Sequence, residues 1–161
     1  MIDGWLLLLT AVAALGCAAA GGILLAFSTF VMKALARLPS AQGIAAMQSI
    51  NVAAVSPLFM VVLFGTALAC VVLGVASLAV WQKEGAGYLL AGSLLYLVGV
   101  IFVTVVYHVP RNDALAAIDP NGEGSASHWN QYVKEWTTWN HLRSVASLGA
   151  AGLLVLALRT G

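Results

Sequence analysis

The chain has 161 residues, 61% of them hydrophobic and only 8% charged, with a formal net charge of +1. Soluble domains carry roughly 25% charged residues, so a water-soluble fold of this size is excluded, and the small net charge gives no basis for binding nucleic acid. What these numbers allow is one membrane-embedded domain.

A span needs about 20 apolar residues to cross a hydrocarbon core roughly 30 Å thick. The first runs over residues 5–32, with Trp5 as an interfacial anchor. A secretory signal would open on basic residues and carry a shorter apolar run. Here Asp3 is the only early charge and the next is Lys33, so the segment reads as a span. Ala14, Ala18, Gly22 and Ala26 recur at every fourth position, a row that suits close packing against another helix. Cys17 and Cys70 lie within apolar runs and read as small hydrophobes rather than as a disulfide.

A connection over residues 33–56 holds Lys33, Arg37, a Pro39-Ser40 break and a weakly amphipathic piece over residues 41–51. Ser56-Pro57 is a helix start, Ser as N-cap and Pro at the first helical position. The second span covers residues 57–81. After the Lys83-Glu84-Gly85 turn, the third covers residues 86–109, with Pro110 predicted to end it. Gly65, Gly92 and Gly99 read as packing residues. A turn-rich connection follows, including Asp119-Pro120-Asn121-Gly122, and Ser125 or Ser127 is expected to cap the next helix.

That helix opens with a Trp-rich segment over residues 127–143 and runs on into span four, residues 140–158. Uncharged residues after Arg143 number too few for a crossing, so the span borrows turns from the Trp-rich segment and draws Asn140, His141 and Arg143 toward membrane depth. Helical spacing puts Trp129, Tyr132, Trp136, Asn140 and Arg143 on one stripe, with Trp139 on its flank and Gln131, Lys134 and Thr138 opposite. His141 lies about 120° away and should face a different neighbour. The expected fold is therefore all-α: an integral membrane four-helix bundle whose fourth helix is extended by an amphipathic Trp-rich segment.

Lys33, Arg37, Arg111, Lys134 and Arg143 fall on one side of this topology and Lys83 and Arg159 on the other. The excess places the long loops in the cytoplasm and both termini outside, in a bacterial inner membrane. The same count brings Asn51, His108, Arg111, Asn112, His128, Asn140, His141 and Arg143 to one end of the bundle. Buried polar residues in a membrane mark a site by default.

Four pieces of the chain carry a family resemblance. These are Phe27-Ser28, Met47-Gln48-Ser49-Ile50-Asn51, Val109-Pro110-Arg111-Asn112 and, the most specific, Trp136-x-x-Trp139-Asn140-His141-x-Arg143. Together they resemble the small four-span membrane proteins grouped as anthrone oxygenase-like, over nearly the whole chain. Fungal members with an assigned activity oxidise an anthrone to an anthraquinone, whereas most bacterial members have no assigned substrate. The resemblance implies a membrane oxygenase or oxidase for a planar phenolic, anthrone- or quinol-like substrate that enters from the lipid bilayer.

Such a reaction needs a base near the acidic carbon, donors for the developing oxyanion and a flat apolar wall. His141 is expected to be the base, its ordinary pKa of about 6.5 suiting proton transfer, with Asn140 and Arg143 holding the oxyanion. Trp129, Tyr132, Trp136 and Trp139 would form the wall, with Gln48, Asn51, His108, Arg111 and Asn112 completing the substrate site. Plainer roles compete: an interfacial belt for the aromatics, helix caps for Asn51 and Asn112, a packing role for His108, and snorkelling for Arg143. The oxygenase reading requires no cofactor. The alternative is a non-catalytic lipid- or quinone-binding or assembly protein, with metal or haem held by His108 and His141 and a homo-oligomer among its forms.

Overall fold

The computed structural model describes residues 4–160; Asp3, used above in reading the amino terminus, lies outside them. Among the described residues there are five helices and no strand: α1 (Gly4–Leu35), α2 (Ser40–Ala53), α3 (Pro57–Ala79), α4 (Ala86–Ala116) and α5 (Ser125–Thr160). All but α2 are long and apolar enough to cross a membrane. At 1.5 Å per residue the 36 residues of α5 extend roughly 54 Å. Its Trp-rich first half therefore reaches well beyond what a bilayer core requires.

The spans form a ring in which α1 packs on α3, α3 on α4, α4 on α5 and α5 back on α1, the last pair being the most intimate. Small residues permit that approach. A Cβ at Gly21 would lie 2.8 Å from Leu148, and one at Gly99 would run into Ala146. The face of α1 that does this work is Thr10, Ala13, Cys17, Ala20, Gly21, Leu24 and Ser28, all buried. The row expected from sequence is not the packing row: of Ala14, Ala18, Gly22 and Ala26, only Ala14 is buried, and Ala18 and Gly22 are exposed. In a bilayer a small residue costs nothing on the lipid side, so a four-residue repeat does not by itself say which face is covered. Gly92 and Gly99 sit against α5 as expected, whereas Gly65 is exposed. Cys17 and Cys70 are free and buried in the same core.

Two further expectations are corrected. Pro110 does not end the third span, because α4 continues to Ala116. The turn before it, Thr104–His108, is π-helical. A π turn already shifts the hydrogen-bond register, so the missing proline N–H and the crowding of the preceding carbonyl are accommodated without a break. At α5, Gly124 with φ +78° precedes the first helical residue, Ser125, and neither Ser125 nor Ser127 takes the N-cap position. Ser56 does occupy the cap position of α3, with Pro57 next, but makes no side-chain cap hydrogen bond.

Helix α2 closes one end of the bundle. With the end of α1, Leu115 and the start of α5 it forms a second core: Met32, Leu35, Ile44, Met47, Leu115, Trp129, Tyr132 and Trp136. Gln48 fastens it, its side-chain amide donating from Nε2 to the carbonyls of Leu115 (2.9 Å) and Ile118 (3.0 Å) at the end of α4. Gly43 lets α2 lie directly on Trp129, since a Cβ there would sit 2.7–2.9 Å from three indole atoms. That ring is 2% exposed and has nowhere to retreat. Gly43→Ala should therefore destabilise the protein by about 1–3 kcal/mol, the usual range for overpacking. A drop in thermal midpoint with an altered near-UV tryptophan signal would register it.

Candidate functional site

Between the two cores lies a cavity of about 520 Å³, within the range of roughly 300–1,000 Å³ typical of small-molecule sites. Its walls are largely apolar: Leu24 and Phe27 from α1, Met47 and Ile50 from α2, Phe59, Met60 and Leu63 from α3, and Trp136 from α5. Ile23, Phe64 and Val109 line it too and are 42%, 49% and 44% exposed, so its rim is apolar and faces outward from the spans. The first turn of α3 makes little contact with the rest of the bundle, which leaves this space open.

Three spans change pitch where they border the cavity. Phe27–Val31 in α1, Val61–Gly65 in α3 and Thr104–His108 in α4 are π-helical turns. They contribute Phe27, Leu63, Phe64, Thr104 and His108 to the lining. Such turns widen the helix and leave backbone carbonyls for side chains to use. Tyr96 Oη donates to the Leu63 carbonyl (3.1 Å), and Asn140 Nδ2 donates to the Leu24 carbonyl (2.7 Å), just before the α1 turn.

The stripe read from the sequence is buried throughout: Trp129, Tyr132, Trp136, Asn140 and Arg143 all face inward, while Gln131, Lys134 and Thr138 are not buried. Only Trp136 and Arg143 of that stripe reach the cavity. Asn140 stands behind Arg143 and fixes it. Fully buried, it donates to Leu24 and to Ser28 Oγ (2.8 Å) and accepts from Arg143 Nη2 (2.7 Å). Ser144 Oγ donates to the Asn140 carbonyl (2.8 Å), which leaves Ser28 to donate to Ser144 Oγ (3.1 Å). Arg143 Nη1 donates to Thr104 Oγ1 (3.1 Å), and the guanidinium carbon lies 5.4 Å from the centre of the Trp136 ring. The Trp136 indole N–H donates in turn to Asn112 Oδ1 (3.1 Å), which also accepts from Tyr132 Oη (2.9 Å). Asn112 thus orients the aromatic wall and lines the cavity; it is not a helix cap.

His108 is 2% exposed, meets the Trp136 ring edge-on at a centroid distance of 5.0 Å, and lines the cavity. Neither of its ring nitrogens makes a well-formed hydrogen bond, although the backbone of Val103 and of Trp136 comes close to it. Asn51 Nδ2, beside Tyr132, and Arg143 Nε are likewise buried without a partner. The residues carrying these unsatisfied nitrogens line one cavity. Buried polar groups are nearly always paired, so three residues with unpaired nitrogens in its lining make this cavity the candidate site, although Trp129 Nε1, Ser93 Oγ and Thr137 Oγ1 are also buried without a partner away from it.

The other expected site residues lie elsewhere. His141 is exposed on the outside of α5 and does not line the cavity. Its angle on the helical wheel turns it from the stripe and away from the cavity. It also does not pair with His108, which faces inward; among the described residues no three of His, Cys, Asp and Glu gather in a metal-binding group. Trp139 is half-buried and stacks on Tyr107 (3.7 Å between centroids) away from the cavity. Arg111 donates from Nε to Glu135 (2.9 Å) and from Nη1 to the Tyr107 carbonyl (3.1 Å), bracing α4 against α5. Gln48 and Trp129 hold α2 in place, and exposed His128 sits 3.0 Å from the Gly124 carbonyl. Sequence reasoning missed Thr104, whose polar side chain within an apolar run was the available signal, and the wall residues Phe59 and Phe64, which had none; Phe27, quoted with Ser28 in the family resemblance, lines the cavity as well.

No curated protein and no solved structure matches the chain. The family model described as anthrone oxygenase matches residues 58–153, which includes Thr104, His108, Asn112, Trp136, Asn140 and Arg143 but not Ser28 or Asn51. A match over more than half its length, on a four-span helical bundle with this polar cluster inside, shows that the chain belongs to the anthrone oxygenase family.

Proposed function

We propose that this protein is a membrane oxygenase that oxidises a planar phenolic, anthrone- or quinol-like molecule with dioxygen, and that His108 is its base. The observation that carries the reading is the apolar cavity whose polar lining residues, Asn51, His108 and Arg143, keep buried nitrogens with no partner in the protein. An anthrone has an acidic methylene conjugated to its carbonyl. As the free base, His108 takes one methylene proton while the carbonyl oxygen gains negative charge beside the N–H groups of Arg143 and Asn51. The carbanion passes one electron to dioxygen, and the resulting superoxide joins the carbon radical to form a C–O bond. After proton transfer to the peroxide, loss of the second methylene proton breaks the O–O bond. One oxygen atom stays as the new carbonyl and the other leaves as water. Trp136 supplies the flat wall against which the rings lie, with Phe27 tilted beside it.

The substrate would come from the bilayer across the rim of Ile23, Phe64 and Val109. The excess of basic residues on the long-loop side supports loops in the cytoplasm and termini outside, in a bacterial inner membrane. Purified protein given an anthrone should consume oxygen and yield the anthraquinone. Under ¹⁸O₂ the product should carry one labelled oxygen. A product without label, or no oxygen uptake above the uncatalysed rate, would reduce the chain to a binding protein.

A further inference from the structure

Arg143 is a cation without a counter-ion among the described residues. It is 6% exposed, and its hydrogen-bond partners, Thr104 Oγ1 and Asn140 Oδ1, are both neutral. The face of Trp136 lies against it as well. Asn140 cannot relay the charge to an acid either, since it donates only to a backbone carbonyl and a serine hydroxyl. Among the described residues no Asp or Glu lines the cavity, and Glu135 is engaged by Arg111 on the outer side of α5. A charge among apolar side chains is retained at considerable cost unless something of opposite sign offsets it. Arg143 Nε, buried and unpartnered in a residue that lines the cavity, is the group left to receive it.

We propose that the cavity binds its ligand as a monoanion: a flat aromatic body bearing one phenolate or carboxylate oxygen, seated on Arg143 Nε–H and Asn51 Nδ2–H with its rings against Trp136. This rests on the cavity being the substrate site, and it narrows the substrate to compounds that arrive with one ionised oxygen beside the carbonyl oxygen that gains charge when His108 takes the methylene proton. A guanidinium favours an anionic oxygen over a neutral one through charge-assisted hydrogen bonds, and a dry cavity strengthens the preference. Asn140 and Thr104 are positioning residues here, holding the fork so that Nε faces the ligand.

The test compares 9-anthracenecarboxylate with its neutral isostere anthracene-9-carboxamide on the full protein in phosphatidylcholine nanodiscs, corrected for partition into empty discs. The anion should bind at least tenfold more tightly. The preference should vanish in Arg143→Gln, because the anion loses at least tenfold more affinity than the carboxamide. Asn51→Asp gives a second readout if Arg143→Gln fails to fold. A carboxylate built into the cavity should abolish anion binding and raise the thermal midpoint, because it supplies the missing counter-charge. Equal binding of the two probes by the wild type would overturn the proposal, as would a lowered midpoint in Asn51→Asp. Oleate displacing the anthracene probe at equal concentration would overturn the assignment of an aromatic body. Anion-selective binding without oxygen uptake from any anthrone would remove the oxygenase reading and leave this inference standing. Turnover of a neutral anthrone with no anion preference would do the reverse.

Discussion

Replacing His108 with Gln should cut oxygen-dependent turnover by roughly 10²-fold or more, the usual contribution of a positioned general base, whereas replacing His141 with Ala should leave turnover essentially unchanged. The contrast follows from placement. His108 is enclosed, touches Trp136 edge-on and has two free nitrogens. His141 faces away from the bundle. Glutamine keeps a polar side chain that can hydrogen-bond at the cavity wall but cannot take up a proton at neutral pH, so the fold should survive and the chemistry should not. Turnover should be measured as initial oxygen uptake on an anthrone, with the thermal midpoint of each variant as the control for folding. A His108→Gln enzyme of undiminished rate, or a His141→Ala enzyme that is dead but folded, would return the base to the outer face and empty the cavity of its chemistry.

The second large effect is expected at Asn140. Removing its amide with Asn140→Ala leaves the Leu24 carbonyl, Ser28 and one arm of Arg143 each short of a partner. Neutral hydrogen bonds between membrane helices average only about 0.6 kcal/mol, so two such bonds alone predict a loss near 1 kcal/mol. Breaking the support of a buried charge costs about 3–5 kcal/mol. The second figure should prevail, because Asn140 is fully buried and its oxygen is one of two acceptors holding the guanidinium. Unfolding in mixed micelles should therefore show a loss of about 3 kcal/mol or more. A loss near 1 kcal/mol would mean that water entering the cavity takes over from the amide.

Much of this is legible in the sequence, and what is not has identifiable causes. The inward stripe of Trp129, Tyr132, Trp136, Asn140 and Arg143 can be read because α5 is a regular α-helix from end to end and keeps the 3.6-residue period. Polar residues within so apolar a chain also stand out, and the alternation of spans is enough to bring Asn51, Asn112 and His108 to one end of the bundle. The period fails at the π turns. There the phase slips within five residues, composition gives no warning, and Pro110 reads as a terminus when it lies inside α4. His108 occupies the last position of one such turn, and its preference for the cavity over a packing role depends on that slip. His141 is a different case. A histidine next to Asn140 attracts a catalytic reading, while its angle from the stripe already points it outward, where the structure has it. The lining Phe59 and Phe64 are indistinguishable from any other apolar residue in a span.

The rim of Ile23, Phe64 and Val109 has a consequence for how the proposed activity must be assayed. A doorway that opens onto acyl chains meets its reactant at the concentration dissolved in the membrane, which for a flat aromatic compound greatly exceeds that in the surrounding buffer. Rates should then follow mole fraction in the lipid phase and decline as inert lipid or detergent is added at constant bulk dose. Any Michaelis constant quoted in molar units would describe the mixture in the tube more than the protein.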